Sequence, residues 1–294
     1  MSKVSVIVIT YNHQNFIQEA ILSIMEQKTS FDFDVLIFDD CSIDNTCGII
    51  ENLINGLSNY KLIRSSVNVG ATKLLTKALG EVRTEYIAYL EGDDYWIDTH
   101  KLQKQYEFLL KNVDNVACFT GFIKISKDNL IEYSYKHKYL NISDFVEDKE
   151  TKTMMVSLFM RNIFNDENLT RLENLYNGCR IVGDKQLKCL LLTNGPIAVL
   201  PDITACYRFQ SGLEAWSSNR NKLKVSIERF NVWNNIYLIL ANCNNSIQTK
   251  KDFYAMKTAL LYFRVGKIRE SIAYYRKVSN KIKALLLFLR RKNE

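Results

Sequence analysis

Several common sequence features are scarce or absent in this chain of 294 residues. It contains two prolines and eleven glycines, and no stretch is rich in Ser, Gly or Pro, which excludes modules joined by long flexible linkers. No apolar run approaches the ~18 residues that cross a bilayer, so an integral membrane protein is not expected. The seven cysteines form no C-x-x-C pair, which favours buried free thiols over disulfides or a zinc site.

The beginning of the sequence also lacks the long apolar region of a signal peptide. Together with the scattered, odd number of cysteines, this predicts a cytoplasmic location. The composition, with 47% hydrophobic and 24% charged residues, provides ample apolar material for a globular core.

The first 90 residues alternate between short apolar runs and amphipathic stretches. The runs are rich in β-branched residues without polar alternation, as in strands buried on both faces, and the stretches between them have apolar residues at helical spacing. This rhythm predicts an α/β fold with a doubly wound, mainly parallel sheet. The expected strands are Val4–Thr10, 35–38, Tyr60–Arg64 and 86–90.

The rhythm changes after the fourth strand. Residues 116–125 and 130–135 are expected to form strands around a turn at 127–129. From residue 221 onward the pattern is helical, which predicts a separate C-terminal appendage or lid.

Three carboxylates follow the fourth expected strand. Glu91, Asp93 and Asp94 crowd the end of a buried run, where their repulsion requires compensation. Mg²⁺ or Mn²⁺ would supply it, since both prefer oxygen ligands and bridge carboxylates to phosphate. The alternative is a surface turn with an acidic helix N-cap.

Glycine-rich phosphate loops are missing. Thr10-Tyr11-Asn12-His13 follows the first strand where G-x-G-x-x-G would stand, and G-x-x-x-x-G-K-[ST] is absent throughout. Dehydrogenase and P-loop functions are therefore disfavoured, and a bound diphosphate would need a metal to neutralise it.

Five stretches together resemble the family 2 glycosyltransferases with the GT-A fold. They are SVIVITYNHQNFIQEAILSI, DVLIFDDCSIDNT, NVGATK, YIAYLEGDDYW with KLQKQYEFL, and GDKQLKCLLLTNGPIAVLPDITACYRFQSGLEAWS. The resemblance implies a Rossmann-like GT-A domain over residues 1–217, with a nucleotide-sugar half at 1–115 and an acceptor half at 116–217. Residues 221–294 lie outside it as a helical, basic region.

The resemblance also implies roles for individual residues. Asp94 and Asp93 would hold the metal and the diphosphate, and Glu91 replaces the more usual first Asp of that motif while keeping a carboxylate. The Arg-Asn pair of many relatives is Leu75-Thr76 here, which removes any donor contact from that pair. The nucleotide would lie against Thr10, Tyr11, Asn12, Asp39, Asn68, Gly70 and Asp93, with Asp39 as the partner of the base.

Asp184 matches the catalytic base of inverting members. The residues themselves leave an alternative, because Gly183-Asp184 precedes a helical stretch and an acidic N-cap is common there. A helix N-terminus favours the ionised carboxylate, whereas a base works best with a pKa near the working pH.

A loop that closes over the donor is implied by Tyr207-Arg208-Phe209-Gln210-Ser211-Gly212. Arg208 is expected either to pair with phosphate or to form an ordinary surface ion pair. Gln210 occupies the position of a His in many relatives, and a neutral amide oxygen is a poorer metal ligand. Trp216 completes the expected donor and acceptor loop.

The function implied is metal-dependent, inverting transfer from a nucleotide-diphosphate sugar, by family frequency a UDP-sugar, to a hydroxyl of a glycan or lipid-linked acceptor in cell-surface polysaccharide synthesis. Two alternatives stay open. A nucleotidyltransferase also needs a carboxylate pair with a metal, and a catalytically silent nucleotide-sugar-binding module would share the pocket.

The net charge of +7 is concentrated near the C-terminus. Apolar residues 282–289 lie between cationic clusters, which is typical either of a helix resting on anionic membrane or of a terminal helix packed on the protein. Peripheral contact with the cytoplasmic face of a membrane is therefore one expectation. Nucleic acid binding is not expected, since the interleaved aromatic residues have helical spacing, and a homo-oligomer stays open.

Overall fold

The computed structural model of the protein describes residues 2–126, 129–136, 138–142, 145, 153–179, 183–209, 222–240, 245–281 and 283–284. Its first half contains strands β1 (Val4–Thr10), β2 (Phe33–Asp39), β3 (Tyr60–Arg64), β4 (Tyr86–Glu91), β5 (Tyr95–Trp96), β6 (Ala117–Ser126), β7 (Asn129–Tyr133) and β8 (Lys138–Leu140). Its helices there are α1 (Ile17–Met25), α2 (Thr46–Ile54), α3 (Ala71–Glu81) and α4 (Lys101–Lys111).

The second half contains fewer strands and more helix. A short 3₁₀ helix (Met155–Ser157) precedes β9 (Phe159–Arg161), and α5 (Asp166–Tyr176) and α6 (Asp184–Leu192) precede β10 (Ile197–Arg208). The described residues that follow form α7 (Lys222–Leu240), α8 (Asn245–Arg264) and α9 (Ile268–Arg276).

One sheet connects all ten strands, in the order β3-β2-β1-β4-β9-β6-β10-β5. β7 pairs with β6, and β8 pairs with β10. β1, β2, β3 and β4 pair in parallel, β9 lies antiparallel between β4 and β6, and β10 is parallel to β6. Six strands therefore run in one direction, so their carboxyl ends meet at one edge, where open α/β sheets bind ligands.

Apolar side chains cover both faces of the sheet. In β1, Val4, Val6 and Val8 face the cluster beneath α1, α2 and α4, while Ile7 and Ile9 face the cluster shared with α3, α5 and α6. All seven β1 residues are buried. This burial explains the continuous apolar sequence, because a strand with helices on both sides has no solvent face.

The α/β fold with a mainly parallel central sheet is confirmed for the first half. β1 and β3 have the predicted bounds, and β2 and β4 are slightly longer than expected. The pattern did not reveal β5, β8, β9 or β10. At the predicted turn at 127–129, Lys127 and Asp128 lie outside the described residues.

The C-terminal helices share the core of the sheet domain. Phe230, Trp233 and Ile236 of α7 belong to the same buried cluster as Leu172 of α5, and the Trp233 ring lies 6.1 Å from that of Phe145. The boundary drawn at residues 217–221 stays a prediction. Within the described residues, no helix has the length and apolar character needed to cross a bilayer.

Candidate active site

The carboxyl ends of β1, β2, β4 and β10 form a polar rim at one edge of the sheet. β5 pairs antiparallel with the end of β10, with Cys206 opposite Tyr95. This register brings the residues after Cys206 alongside the Asp93-Asp94 turn, although more than 100 positions separate the two segments. The rim therefore collects side chains that are distant in sequence.

The three carboxylates after β4 form one cluster. Glu91, Asp93 and Asp94 each place one carboxylate oxygen within 4.8 Å of the others, a geometry that fits a metal ion. The turn between β4 and β5 is tight, since the Asp94 N–H donates to the Glu91 carbonyl at 3.0 Å. Gly92 permits this turn, because a Cβ there would lie 2.6 Å from the Thr10 hydroxyl oxygen.

Asp94 is buried, and its two carboxylate oxygens have different surroundings. Oδ1 accepts the Arg208 N–H at 2.7 Å. Oδ2 is buried and has no hydrogen-bond partner among the described residues. A buried carboxylate oxygen without a donor is costly unless a cation compensates its charge. The alternative of a surface turn with a helix N-cap is wrong, because Asp94 is fully buried and a strand follows it.

The pKa shifts of the carboxylates in the cluster also favour a bound cation. Burial raises the pKa of the Glu91 carboxyl to about 8, and the charges of Asp93 and Asp184 add to the effect. Burial also raises the pKa of Asp94 well above its usual range, and the charges of Asp93 and Glu91 reinforce it. In this environment the protein alone disfavours the fully ionised cluster, whereas a divalent cation would stabilise it.

Arg208 braces the carboxylate turn. Its Nη1 donates to the Asp93 carbonyl at 2.7 Å, and its Nη2 forms a short ion pair with Glu19 on α1. Its guanidinium carbon lies 4.4 Å from the centre of the Tyr95 ring. Of the two expectations for Arg208, the ion pair is present, and this pair also links β10 and α1 to the carboxylate turn.

The expected nucleotide pocket is built from two loops. Asn12 has a left-handed backbone with φ 54°, and its side-chain oxygen accepts the Ile43 N–H at 2.9 Å. Asp39 is fully buried and accepts the Ser42 N–H at 2.9 Å, together with a short bond from the Ser42 hydroxyl. Its pairing with a nucleotide base stays a prediction, as do the roles of Thr10, which is buried, and Tyr11, which is partly exposed.

Asp40 is a structural residue that sequence reasoning missed. Its two oxygens accept the N–H groups of Val69 and Gly70, each at 2.8 Å, and Gly70 has a φ of 87°. These bonds hold the loop before α3 against the end of β2. Asn68 lies exposed on this loop, so the loop's nucleotide contacts stay predictions.

Asp184 lies at the beginning of α6, partly buried. Gly183 occupies the N-cap position, so the alternative that Asp184 is the N-cap is wrong. The charge of Asp184 contributes to the raised pKa of Glu91 and of Tyr89, which places it in electrostatic range of the carboxylate cluster. Its role as a base stays a prediction.

Tyr207 is the other residue that sequence reasoning did not single out. Burial raises the pKa of its hydroxyl, and the charges of Glu91, Asp94, Asp184 and Asp93 raise it further. The side chain therefore lies near all four carboxylates. Only the pairing of β5 with β10 reveals this position. Gln210 and Trp216 of the expected loop lie outside the described residues.

A cavity of about 780 Å³ lies away from this rim. Ser2, Phe33 and Asn59, near the amino ends of β1, β2 and β3, are among its lining residues. No carboxylate of the cluster borders it. The chemistry of the rim, rather than cavity size, therefore identifies the candidate site.

Comparison with known families and structures gives a consistent picture. The profile described as "Glycosyl transferase family 2" matches residues 5–169. WfgD of Escherichia coli, named as a UDP-Glc:alpha-D-GlcNAc-diphosphoundecaprenol beta-1,3-glucosyltransferase, is 33% identical over 128 residues, which are 44% of this chain and 48% of WfgD. TarS of Staphylococcus aureus, a poly(ribitol-phosphate) beta-N-acetylglucosaminyltransferase, is 37% identical over 97 residues, 32% of this chain and 17% of TarS. The matches thus span half or less of these relatives.

Solved structures show the same fold. Residues 1–349 of TarS in complex with UDP-GlcNAc superpose with a TM-score of 0.56 and 18% identity, covering 93% of this chain and 90% of that one. A mannosyltransferase from Pyrobaculum calidifontis in complex with GDP-Man and Mn²⁺ gives a TM-score of 0.55 and 15% identity, covering 99% and 80%. At these identities the likeness concerns the fold alone.

Proposed function

Because the chain belongs to glycosyltransferase family 2, we propose that it transfers a sugar from a nucleotide-diphosphate donor to a hydroxyl of a glycan or lipid-linked acceptor, with inversion. The observation that carries the proposal is the buried Oδ2 of Asp94, which has no hydrogen-bond partner among the described residues and lies within a cluster of three carboxylates. Such an oxygen is suited to bind a divalent cation.

The donor set fits Mn²⁺ or Mg²⁺. Both cations prefer oxygen ligands and commonly bind one or two carboxylates together with substrate phosphates. Asp94 and Asp93 would hold the ion, with Glu91 as a further ligand. When bound, the cation neutralises charge on the departing nucleoside diphosphate.

The other rim residues would position the substrates. Thr10, Tyr11 and Asn12 lie on the loop after β1, where the nucleotide would rest, and Asp39 is proposed to face the base. Asp184 would accept the proton of the attacking hydroxyl as the new glycosidic bond forms. The effect of its charge on the pKa of Glu91 supports this role, because a base must lie close to the reacting atoms.

The choice of donor and pathway rests on the relatives. A UDP-sugar donor is supported by the UDP-Glc in the name of WfgD and the UDP-GlcNAc in the TarS complex, and Mn²⁺ by the complex of the mannosyltransferase. WfgD is named for a lipid-linked sugar acceptor, and TarS for a poly(ribitol-phosphate) acceptor. Cell-surface polysaccharide synthesis is therefore the proposed process, and membrane contact by the basic C-terminus stays a prediction.

The experiment that tests the proposal compares Asp94→Asn with wild type. Binding of UDP is measured by titration calorimetry with and without Mn²⁺, and release of UDP from a panel of donors is followed with acceptor present. We expect the variant to lose both metal-dependent binding and transfer while its circular dichroism spectrum is unchanged. Asp202→Asn, on the partly exposed part of β10, is the matched control and should behave as wild type.

Three results would contradict the proposal. Metal-dependent UDP binding by Asp94→Asn at wild-type affinity would remove the metal assignment. Release of pyrophosphate rather than a nucleoside diphosphate would indicate nucleotidyl transfer, and binding without turnover of any donor or acceptor would indicate a silent binding module.

A further inference from the structure

The hairpin formed by α8 and α9 exposes a group of large apolar side chains. Gly266, with a φ of 75°, forms the turn between the helices. The apolar residues around the turn and along α9 are between 43% and 64% exposed; they are Phe263, Val265, Ile268, Ile272 and Tyr275. We call this group the hairpin face.

The hairpin face is not the side of α9 that packs on the protein. The adjoining side makes the internal contacts, since the Ser271 hydroxyl donates to the Ala259 carbonyl at 2.9 Å. On that side the Tyr274 ring stacks on Tyr262 at 5.5 Å. Ile268, Ile272 and Tyr275 follow helical i, i+4, i+7 spacing. They therefore form a continuous apolar stripe on the solvent side of α9.

Lys267 and Arg269 flank this stripe at helical spacing, whereas Lys277 lies on the packed side of α9 with its Nζ 5.0 Å from the centre of the Phe230 ring. Between residues 264 and 283 the sequence has seven Lys and Arg residues and a single acidic residue, Glu270. All seven cations are exposed: Arg264, Lys267, Arg269, Arg276, Lys277, Lys281 and Lys283. The segment therefore combines exposed aliphatic and aromatic groups with a strong positive charge.

We propose that the hairpin face binds the surface of an anionic lipid bilayer. Cationic side chains attract anionic headgroups, while an apolar stripe enters the boundary between headgroups and acyl chains. The convex turn at Gly266 presents Phe263, Val265 and Ile268 around its tip, a shape that suits insertion rather than enclosure of a ligand.

Other partners fit the hairpin face less well. A second copy of the chain would bring two strongly positive surfaces together, which repel. Nucleic acid would satisfy the positive charge, but it offers no apolar phase for Val265, Ile268 and Ile272. An anionic bilayer satisfies both features at once. This inference goes beyond the proposed transferase function and does not require it.

The test is co-sedimentation with vesicles of phosphatidylcholine containing about a third phosphatidylglycerol, compared with vesicles of phosphatidylcholine alone. Lys267→Gln with Arg269→Gln is expected to weaken binding to the anionic vesicles about 30-fold, at ~1 kcal/mol for each cation. Ile268→Ser with Ile272→Ser is expected to weaken it roughly 10-fold through lost apolar contact. Wild-type binding should fall at high salt and without anionic lipid.

Matched controls separate the hairpin face from general surface effects. Leu238→Ser removes an exposed apolar side chain on α7, and Lys77→Gln removes an exposed charge on α3; both should bind vesicles as wild type. A chain ending at Ala284 tests the basic terminus separately and should keep most of the binding. UDP release from a soluble donor, measured without vesicles, should be unchanged in the hairpin variants.

Several outcomes would overturn the proposal. Hairpin variants that bind anionic vesicles as tightly as wild type would exclude this face, and loss of binding only in the chain ending at Ala284 would assign the contact to the terminus. Sedimentation velocity in which wild type self-associates and the hairpin variants do not would indicate a second copy as partner. Binding of wild type to an oligonucleotide but not to vesicles would indicate nucleic acid instead.

Discussion

The buried side chain of Lys101 should make the free energy of unfolding depend on pH, and the size of this effect can be calculated from the structure. It is the first residue of α4 and is fully buried. Its Nζ donates to the Gln105 side-chain oxygen at 2.6 Å and lies 4.3 Å from the centre of the Trp96 ring. Burial lowers the pKa of Lys101 from 10.5 to about 7, although the nearby Cys118 and Asp98 oppose the shift.

The direction of the pH effect follows from proton binding. Between the lowered folded pKa of about 7 and the unfolded pKa of 10.5, the unfolded chain holds a proton that the folded protein lacks. The free energy of unfolding therefore rises with pH across this window, and the destabilisation is greatest below it. At ~1.36 kcal/mol for each pH unit, this difference in pKa corresponds to on the order of 5 kcal/mol.

Lys101→Met removes the titrating group while keeping most of its volume. The Gln105 oxygen loses its donor, which costs about 1–3 kcal/mol at every pH. We therefore expect the variant to be a few kcal/mol more stable than wild type at about pH 6 and less stable at about pH 10, so that the two stability curves cross. Urea-unfolding midpoints measured across this range give the comparison.

Lys111→Met, on the same helix and 75% exposed in its side chain, is the control and should show no pH-dependent difference from wild type in this window. Cys118 does not interfere, because burial raises the pKa of its thiol to about 12. A constant difference between Lys101→Met and wild type at all pH values would refute the reasoning, since it would mean that the buried amine does not titrate there.

Three further predictions concern the candidate site. Asp184→Asn should reduce transfer about 10²–10⁴-fold, as expected for a lost general base, while UDP binding with Mn²⁺ stays unchanged in calorimetry; a parallel loss of binding would contradict a role limited to proton transfer. Gly92→Ala should lower the free energy of unfolding by about 1–3 kcal/mol, because the new Cβ would lie 2.6 Å from the Thr10 hydroxyl oxygen, whereas Gly80→Ala, with its closest contact at 3.5 Å, should not destabilise in thermal melts. Glu19→Gln should weaken Mn²⁺-dependent UDP binding by up to about fivefold, since the lost ion pair is partly exposed, and an unchanged affinity would exclude a bracing role.

The sequence predicts an element well when the element's own residues carry the signal, as in a continuous run of apolar residues. β1 and β3 have their predicted bounds, because a short apolar run between turn residues indicates a buried strand without knowledge of its partners. β9 has three residues and lies antiparallel between β4 and β6. No local periodicity can reveal such a strand, because it is defined by hydrogen bonds to distant segments.

The same distinction applies to the site. Glu91, Asp93 and Asp94 are adjacent in sequence, so their clustering could be predicted from the end of one strand. The bracing of this turn by Arg208 and Glu19 could not, because it depends on the register of β5 against β10 and on the position of α1. The sequence therefore identifies the charged residues, but the pairing of distant strands and helices determines which of them lie close to one another.

The fold places several carboxyl groups in a poorly solvated turn after β4. The turn at Gly92 draws Glu91 and Asp94 against the end of β1, and burial then raises the pKa of both carboxyls. The Arg208 N–H reaches one oxygen of Asp94, while its guanidinium is directed to Glu19 and the Asp93 carbonyl. Arg208 therefore braces the backbone of the turn, while Oδ2 of Asp94 has no hydrogen-bond donor among the described residues. Burying these carboxyl groups lowers the free energy of unfolding of the free protein. Binding of a divalent cation with a diphosphate would restore this stability.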